Sequence, residues 1–92
     1  MKSNGTFRAL ADPTRREIIR LLRSGPRTSG EIAERFPSTW ATISRHLAIL
    51  KDAGLILAER DGQFIRYELN LTVFQDAVDQ LLDLVKTRRT NA

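Results

Sequence analysis

Cysteine is absent from this 92-residue chain, and its absence excludes disulfides, thiol redox sensing and thiolate metal sites. Histidine occurs once, as His46, too few for the usual zinc site without Cys or carboxylate partners at suitable spacing. No apolar run approaches the roughly 20 residues that cross a bilayer. The first residues carry no signal-peptide pattern, so a cytoplasmic location is expected. Glycine-rich phosphate loops and paired-carboxylate sites are missing as well. Ser44 and His46 lie two apart on a predicted helix, point different ways and cannot form a nucleophile–base pair. The sequence therefore predicts no enzyme, no cofactor and no bound metal. Asp76, Asp79 and Asp83 read as a solvated helix face rather than a cation site.

What is present is enough for one domain with a single modest core, predicted to span residues 1–92. Hydrophobic residues make up 41% and charged residues 28%, an ordinary globular balance. The net charge of +4 is uneven: residues 1–51 carry ten Lys/Arg against four Asp/Glu, and residues 52–92 carry five against seven. A basic N-terminal half favours a polyanionic partner, because Lys and Arg gain from phosphate contact and counterion release.

Along the chain, Met1 to Gly5 reads as a short polar lead, followed by a small helix with Phe7, Leu10 and Ala11 on its apolar stripe. Asp12-Pro13 restarts the chain as a helix, with Asp as cap and Pro at the first helical position. Ile18, Ile19, Leu21 and Leu22 supply its buried side, and Ser24-Gly25-Pro26 ends it. Thr28 and Glu31 fit a capping box for a third helix that runs to about Phe36. Pro37-Ser38 is the turn into a fourth helix that ends at Gly54.

Beyond Gly54 the apolar period changes from helical to alternating. Residues 56–60 and 64–69 flank Asp61-Gly62, a strong hairpin signal, with Ile65, Tyr67 and Leu69 sharing one face. Asn70 caps a last helix, with Thr72 and Gln75 in capping-box spacing. Lys86, Arg88 and Arg89 complement its dipole. The predicted fold is mainly α with a small β-hairpin, in the order α-α-α-α-β-β-α. It is a winged helix-turn-helix with the helix-turn-helix at 28–54, the wing at 56–69 and dimerisation helices at 6–11 and 71–87.

On the fourth helix Ile43, Leu47 and Leu50 fall within one narrow arc and must face the core. Ala41, Ser44 and Arg45 then point outward, where small residues permit close approach to a major groove and an arginine can pair with guanine. Trp40, on the first turn, can pack or reach out. Thr28, Ser38, Thr39 and Lys51 suit phosphate contacts. Arg60, Gln63 and Arg66 on the wing can reach minor-groove edges or phosphates, or form only a solvated turn of mixed charge. His46 reads as a partly buried hydrogen-bonding residue or a phosphate contact.

Phe74, Ala77, Val78, Leu81, Leu82, Leu84 and Val85 form a stripe wider than one core contact needs. A homodimer is expected through Phe7, Leu10, Phe74, Val78, Leu81, Leu82 and Val85. Two-fold symmetry would set two reading helices about 34 Å apart on a pseudo-palindromic operator. The competing expectation is a protein-interaction module, sequestered by a partner protein through its terminal helix.

Ala9-Leu10-Ala11-Asp12-Pro13-Thr14-Arg15-Arg16, then Thr42-Ile43-Ser44-Arg45-His46-Leu47 through Leu50-Lys51 to Ala53-Gly54-Leu55, resemble the ArsR/SmtB family of bacterial repressors. The nearest subgroup is similar to the SdpR-like autorepressors, which lack metal ligands. The resemblance runs from Phe7 to about Val85. It implies a dimeric winged helix-turn-helix protein that represses transcription by occupying operator DNA, and in this subgroup the operator of its own gene. Carried over by position, it implies base reading by Trp40, Ala41, Ser44 and Arg45; Trp40 and Ala41 are less polar than many relatives there and suit thymine methyl groups. Metal-sensing relatives carry paired cysteines where this chain has Glu31-Ile32-Ala33-Glu34-Arg35, or His and carboxylate ligands on the last helix, where this chain has no His. No metal or dithiol sensor is therefore implied.

Overall fold

The computed structural model describes the backbone of residues 2–90 and the side chains of residues 5–86. In chain order the elements are α1 (Lys2–Leu10), α2 (Pro13–Leu22), β1 (Arg27–Thr28), α3 (Ser29–Ala33), α4 (Trp40–Asp52), β2 (Ile56–Asp61), β3 (Phe64–Leu69) and α5 (Leu71–Thr90).

Four helix starts are closed by a side chain that takes a backbone donor the helix cannot satisfy. Asp12 Oδ2 accepts the Arg15 N–H at 3.1 Å, ahead of Pro13. Thr28 and Glu31 form the expected reciprocal box, at 3.2 and 2.8 Å. Thr39 accepts from the Thr42 N–H at 3.3 Å, and Asn70 from the Val73 N–H at 3.4 Å. The far end of α4 closes on Gly54 at φ +80, with Gly54 N–H donating to the Lys51 carbonyl and Leu55 N–H to the Leu50 carbonyl. This Schellman pairing needs a left-handed residue, and Gly54 supplies it without a Cβ clash.

The core lies where the helices meet the base of the sheet. Ile18, Ile32, Ile43, Leu47, Leu50, Leu55 and Ile56 are fully buried there, with Ala9, Ile19, Leu22 and Ala53 beside them. Each such aliphatic side chain is worth about 1.5–3 kcal/mol relative to exposure. Among the described residues no helix is long and apolar enough to cross a membrane.

Several expectations change in detail. The first helix begins at Lys2, not after Gly5, and so contains Gly5 despite a glycine cost of about 1 kcal/mol. Its buried residues are Thr6 and Ala9; Phe7 and Leu10 are half-buried, and Ala11 lies past the helix in solvent. The side chains of Arg88 and Arg89, and Met1, lie outside the described residues. The regular part of α3 stops at Ala33 and tightens into i→i−3 turns up to Phe36, ahead of Pro37. Thr72 and Gln75 form no box: α5 has already started at Leu71, and Gln75 donates to Asp79 Oδ1 at 3.1 Å.

The hairpin carries the larger correction. Asp61 pairs with Phe64 inside the ladder, so the two-residue loop is Gly62-Gln63 rather than Asp61-Gly62. Gly62 has φ +66 and Gln63 does not have positive φ, the pattern of a turn that needs a left-handed first central residue. The sheet also has three strands, in the order β1-β3-β2. Arg27 pairs with Tyr67 and Thr28 with Arg66, so β3 is bonded on both sides and the wing is anchored to the start of α3.

Replacing Leu47 with Ala should cost about 2–5 kcal/mol in chemical denaturation, as a large-to-small change in a closed core. Asp12→Ala should cost about 1 kcal/mol through the lost cap. The Arg15 backbone N–H holds the Asp12 carboxyl below its usual range, so this contribution is complete above the ordinary carboxylate pKa and fades as pH falls through the depressed value. Melting curves of the two proteins should therefore converge in strong acid and separate near neutral pH.

Candidate nucleic-acid interface

The rotation of α4 is set by what it buries. Ile43 and Leu50 are wholly inaccessible and Leu47 nearly so, which turns Ala41, Ser44, Arg45 and Ala48 to solvent. Trp40 is 52% exposed on the first turn, so it reaches out rather than packing. Arg45 makes no hydrogen bond or ion pair among the described residues, which leaves its guanidinium fork available to a base edge. The four base-reading positions expected from the sequence thus share one exposed surface.

The hydroxyls around this surface are partly committed. Thr39 accepts the Thr42 N–H and donates to Thr42 Oγ1 at 3.1 Å, which fixes the first turn of α4. Thr28 accepts the Glu31 N–H, and the Thr28 N–H in turn holds the Glu31 carboxyl below its usual range. Ser38 is exposed in the turn before α4, and Lys51 is exposed on its last turn.

The wing divides its expected contacts between two faces. Register pairs Arg60 with Ile65, on the face whose Tyr67 and Leu69 pack toward the core, while Arg66 alternates to the opposite face. There Arg66 donates from Nη2 and Nε to Asp61 Oδ2, at 2.8 and 3.2 Å. The hydrogen bond to Asp61 holds the guanidinium still more firmly protonated, and Glu31 and Glu59 add to the effect. Arg60 and Gln63 remain exposed at the tip. Sequence reasoning grouped Arg60, Gln63 and Arg66 together; only the register separates them.

A second surface involves no residue of α4. Leu10, Ile19, Phe74, Ala77, Val78 and Leu81, together with Arg16, Arg20 and Arg23, line a largely apolar groove of about 400 Å³ between α2 and α5. Beyond it Leu81, Leu82, Leu84 and Val85 are each at least half exposed. Leu10, Phe74 and Val78 in the groove are half-buried, as is Phe7 on α1. A continuous apolar strip of this kind marks an interaction surface. Asp76, Asp79 and Asp83 point to solvent along α5, and no cluster of three or more His, Asp or Glu able to hold a metal occurs among the described residues.

Sequence reasoning missed one junction. Arg15 Nη1 lies 3.2 Å from His46 Nδ1, which joins the start of α2 to α4. No periodicity signals a contact between residues 31 apart.

Comparison with known proteins agrees with this architecture. A family model described as a helix-turn-helix domain matches residues 10–58. The chain is 49% identical over 82 residues to the transcriptional repressor SdpR of Bacillus subtilis (strain 168), covering 89% of this chain and 91% of that one. A crystal structure of an ArsR family transcriptional regulator superposes with a TM-score of 0.89 at 29% identity, over 97% of this chain and 98% of the other. A homodimeric winged helix-turn-helix DNA-binding domain from Mycobacterium bovis, solved in solution, superposes with a TM-score of 0.76 at 29% identity, over 94% of this chain and 79% of that one. On the helix-turn-helix match, the repressor aligned over most of its length and the shared winged architecture, this chain belongs to the ArsR family of transcriptional regulators.

Proposed function

We propose that this protein is a homodimeric transcriptional repressor that occupies a pseudo-palindromic operator through α4, without enzymatic activity, metal or cofactor. The observation that carries the reading is the division of α4: Ile43, Leu47 and Leu50 are buried, while Trp40, Ala41, Ser44 and Arg45 are turned out together. Arg45 supplies the directional donor for a guanine edge, Ser44 a hydroxyl, and Trp40 with Ala41 apolar contact to thymine methyls. Ser38, Thr39, Lys51 and the backbone around Thr28 position phosphates. On the wing, Arg60 and Gln63 carry the contact, and Arg66 serves chiefly to brace Asp61 across the hairpin.

The apolar strip on α5 and the groove beside it suit a second copy of the chain, through Phe7, Leu10, Phe74, Val78, Leu81, Leu82 and Val85. The homodimeric state of the Mycobacterium bovis domain supports this. A protein that sequestered the repressor through its terminal helix would have to compete for the same strip. The resemblance to autorepressors makes the promoter of the protein's own gene the first operator to examine, and DNA binding of this kind suits a cytoplasmic location.

Footprinting on that promoter should reveal two half-sites about 34 Å apart, one DNA turn. Arg45→Ala should weaken operator binding by about 1–3 kcal/mol and relax the preference at one base pair of each half-site. Binding as tight as that of the unmodified protein would mean that α4 is oriented differently on DNA. Arg60→Ala should lower the salt dependence by about one phosphate contact per subunit, whereas Arg66→Ala should lower it less. Leu82→Glu should shift light scattering from dimer to monomer and abolish the two-half-site footprint; a monomeric parent protein at micromolar concentration would refute the dimer.

A further inference from the structure

The contact between Arg15 and His46 belongs to neither proposed interface, yet it joins the two. Arg15 projects from the first turn of α2 and is partly buried. Its Nε donates to the Ala9 carbonyl at 2.6 Å and its Nη2 to the Arg8 carbonyl at 3.3 Å, both on the last turn of α1. The remaining arm reaches His46 Nδ1 on α4, one residue after Arg45. A single guanidinium thus spans three helices, with the two α1 carbonyls fixing its plane.

A guanidinium has only donors, so His46 Nδ1 must act as the acceptor and carries no proton in this arrangement. A second group waits at the same nitrogen. Asp12 Oδ2 lies 3.9 Å from His46 Nδ1 while it caps α2 through the Arg15 N–H. Asp12 and Arg15 are the charged side chains that reach the ring among the described residues; α1 contributes backbone carbonyls, and Arg45 on α4 points to solvent. Of the two, Arg15 is the one whose side chain is hydrogen-bonded to α1.

We propose that Arg15 is a positioning residue for the DNA-reading helix: through His46 it seats α4 against the last turn of α1. The proposal rests on the DNA-reading role of α4 given above. Its consequence is geometric. Helix α1 contributes to the proposed dimer surface and α4 enters the groove, so the Arg15–His46 tie helps to set the spacing of the two reading helices.

Two measurements on the full-length protein test this, one of them without DNA. Ring nitrogen shifts of His46, read by NMR near neutral pH, should report an unprotonated Nδ1 and a protonated Nε2; a protonated Nδ1 overturns the proposal whatever the protein binds. Fluorescence anisotropy with a duplex of the footprinted promoter site then compares the parent protein with Arg15→Lys and His46→Gln. Arg15→Lys keeps the charge but cannot serve three acceptors in a fixed fork. It should bind about tenfold more weakly, the equivalent of one charge-assisted hydrogen bond, with its dimerisation unchanged. His46→Gln keeps an acceptor for Arg15, so it should match the parent protein.

Equal affinity of Arg15→Lys and the parent protein, or a loss in His46→Gln as large as that in Arg15→Lys, overturns the proposal. Thermal unfolding identifies an Arg15→Lys protein that fails to fold, in which case the ring shifts and the His46→Gln affinity decide. If the parent protein prefers no promoter duplex over a scrambled one, the DNA reading itself fails, and the ring shifts still judge the Arg15–His46 tie.

Discussion

The burial of Ile43, Leu47 and Leu50 against the helical core is the constraint on which the remaining structure depends. A helix can rotate about its axis only by exchanging which residues it hides, and here rotation would expose three large aliphatic side chains at about 1.5–3 kcal/mol each. That sum rivals the whole stability of a domain this size, roughly 5–15 kcal/mol. The outward position of Ser44 and Arg45 is therefore enforced by residues that touch no ligand. The helix is also pinned at both ends, by Thr39 at its start and by the Gly54 closure at its finish. Its length, rotation and termini are thus set by three separate short-range causes that agree.

The wing shows the opposite regime, in which polar register decides function. Its strands are held by pairing to one another and to β1, and Leu57 and Phe64 remain about half exposed on the outer face. Glu59, Asp61, Arg66 and Glu68 share that face, which gives it an excess of negative charge. A surface of that sign is repelled by phosphate, so in the proposed DNA contact the cation at the tip is Arg60, on the other side of the sheet. The Asp61–Arg66 pair is exposed and worth little as stability. Its effect is to neutralise a charge that would otherwise be counted toward DNA.

Between these regions the molecule has two kinds of unfinished surface. One is cationic and small-featured, around α4; the other is an apolar strip along α5 with a groove beside it. No residue of α4 lines the groove, which suits a dimer that presents two copies of the first while closing the second. Arg15 links the two surfaces through α1 and His46, by hydrogen bonds rather than by apolar packing.

Much of this was legible in residue order, and the reason is locality. Asp12-Pro13, the Thr28–Glu31 box, the apolar spacing of α4 and the cap at Gly54 act over three or four residues, so sequence by itself determined the helices and which face of α4 is hidden. Contacts between distant residues could not be read in this way. The pairing of Arg27-Thr28 with β3, the shift of the hairpin loop to Gly62-Gln63, the capture of Arg66 by Asp61 and the meeting of Arg15 with His46 depend on how finished elements pack. Tertiary structure decided them because each is a choice among partners that are chemically equivalent along the chain, and only the core brings one of those partners within a hydrogen bond's reach.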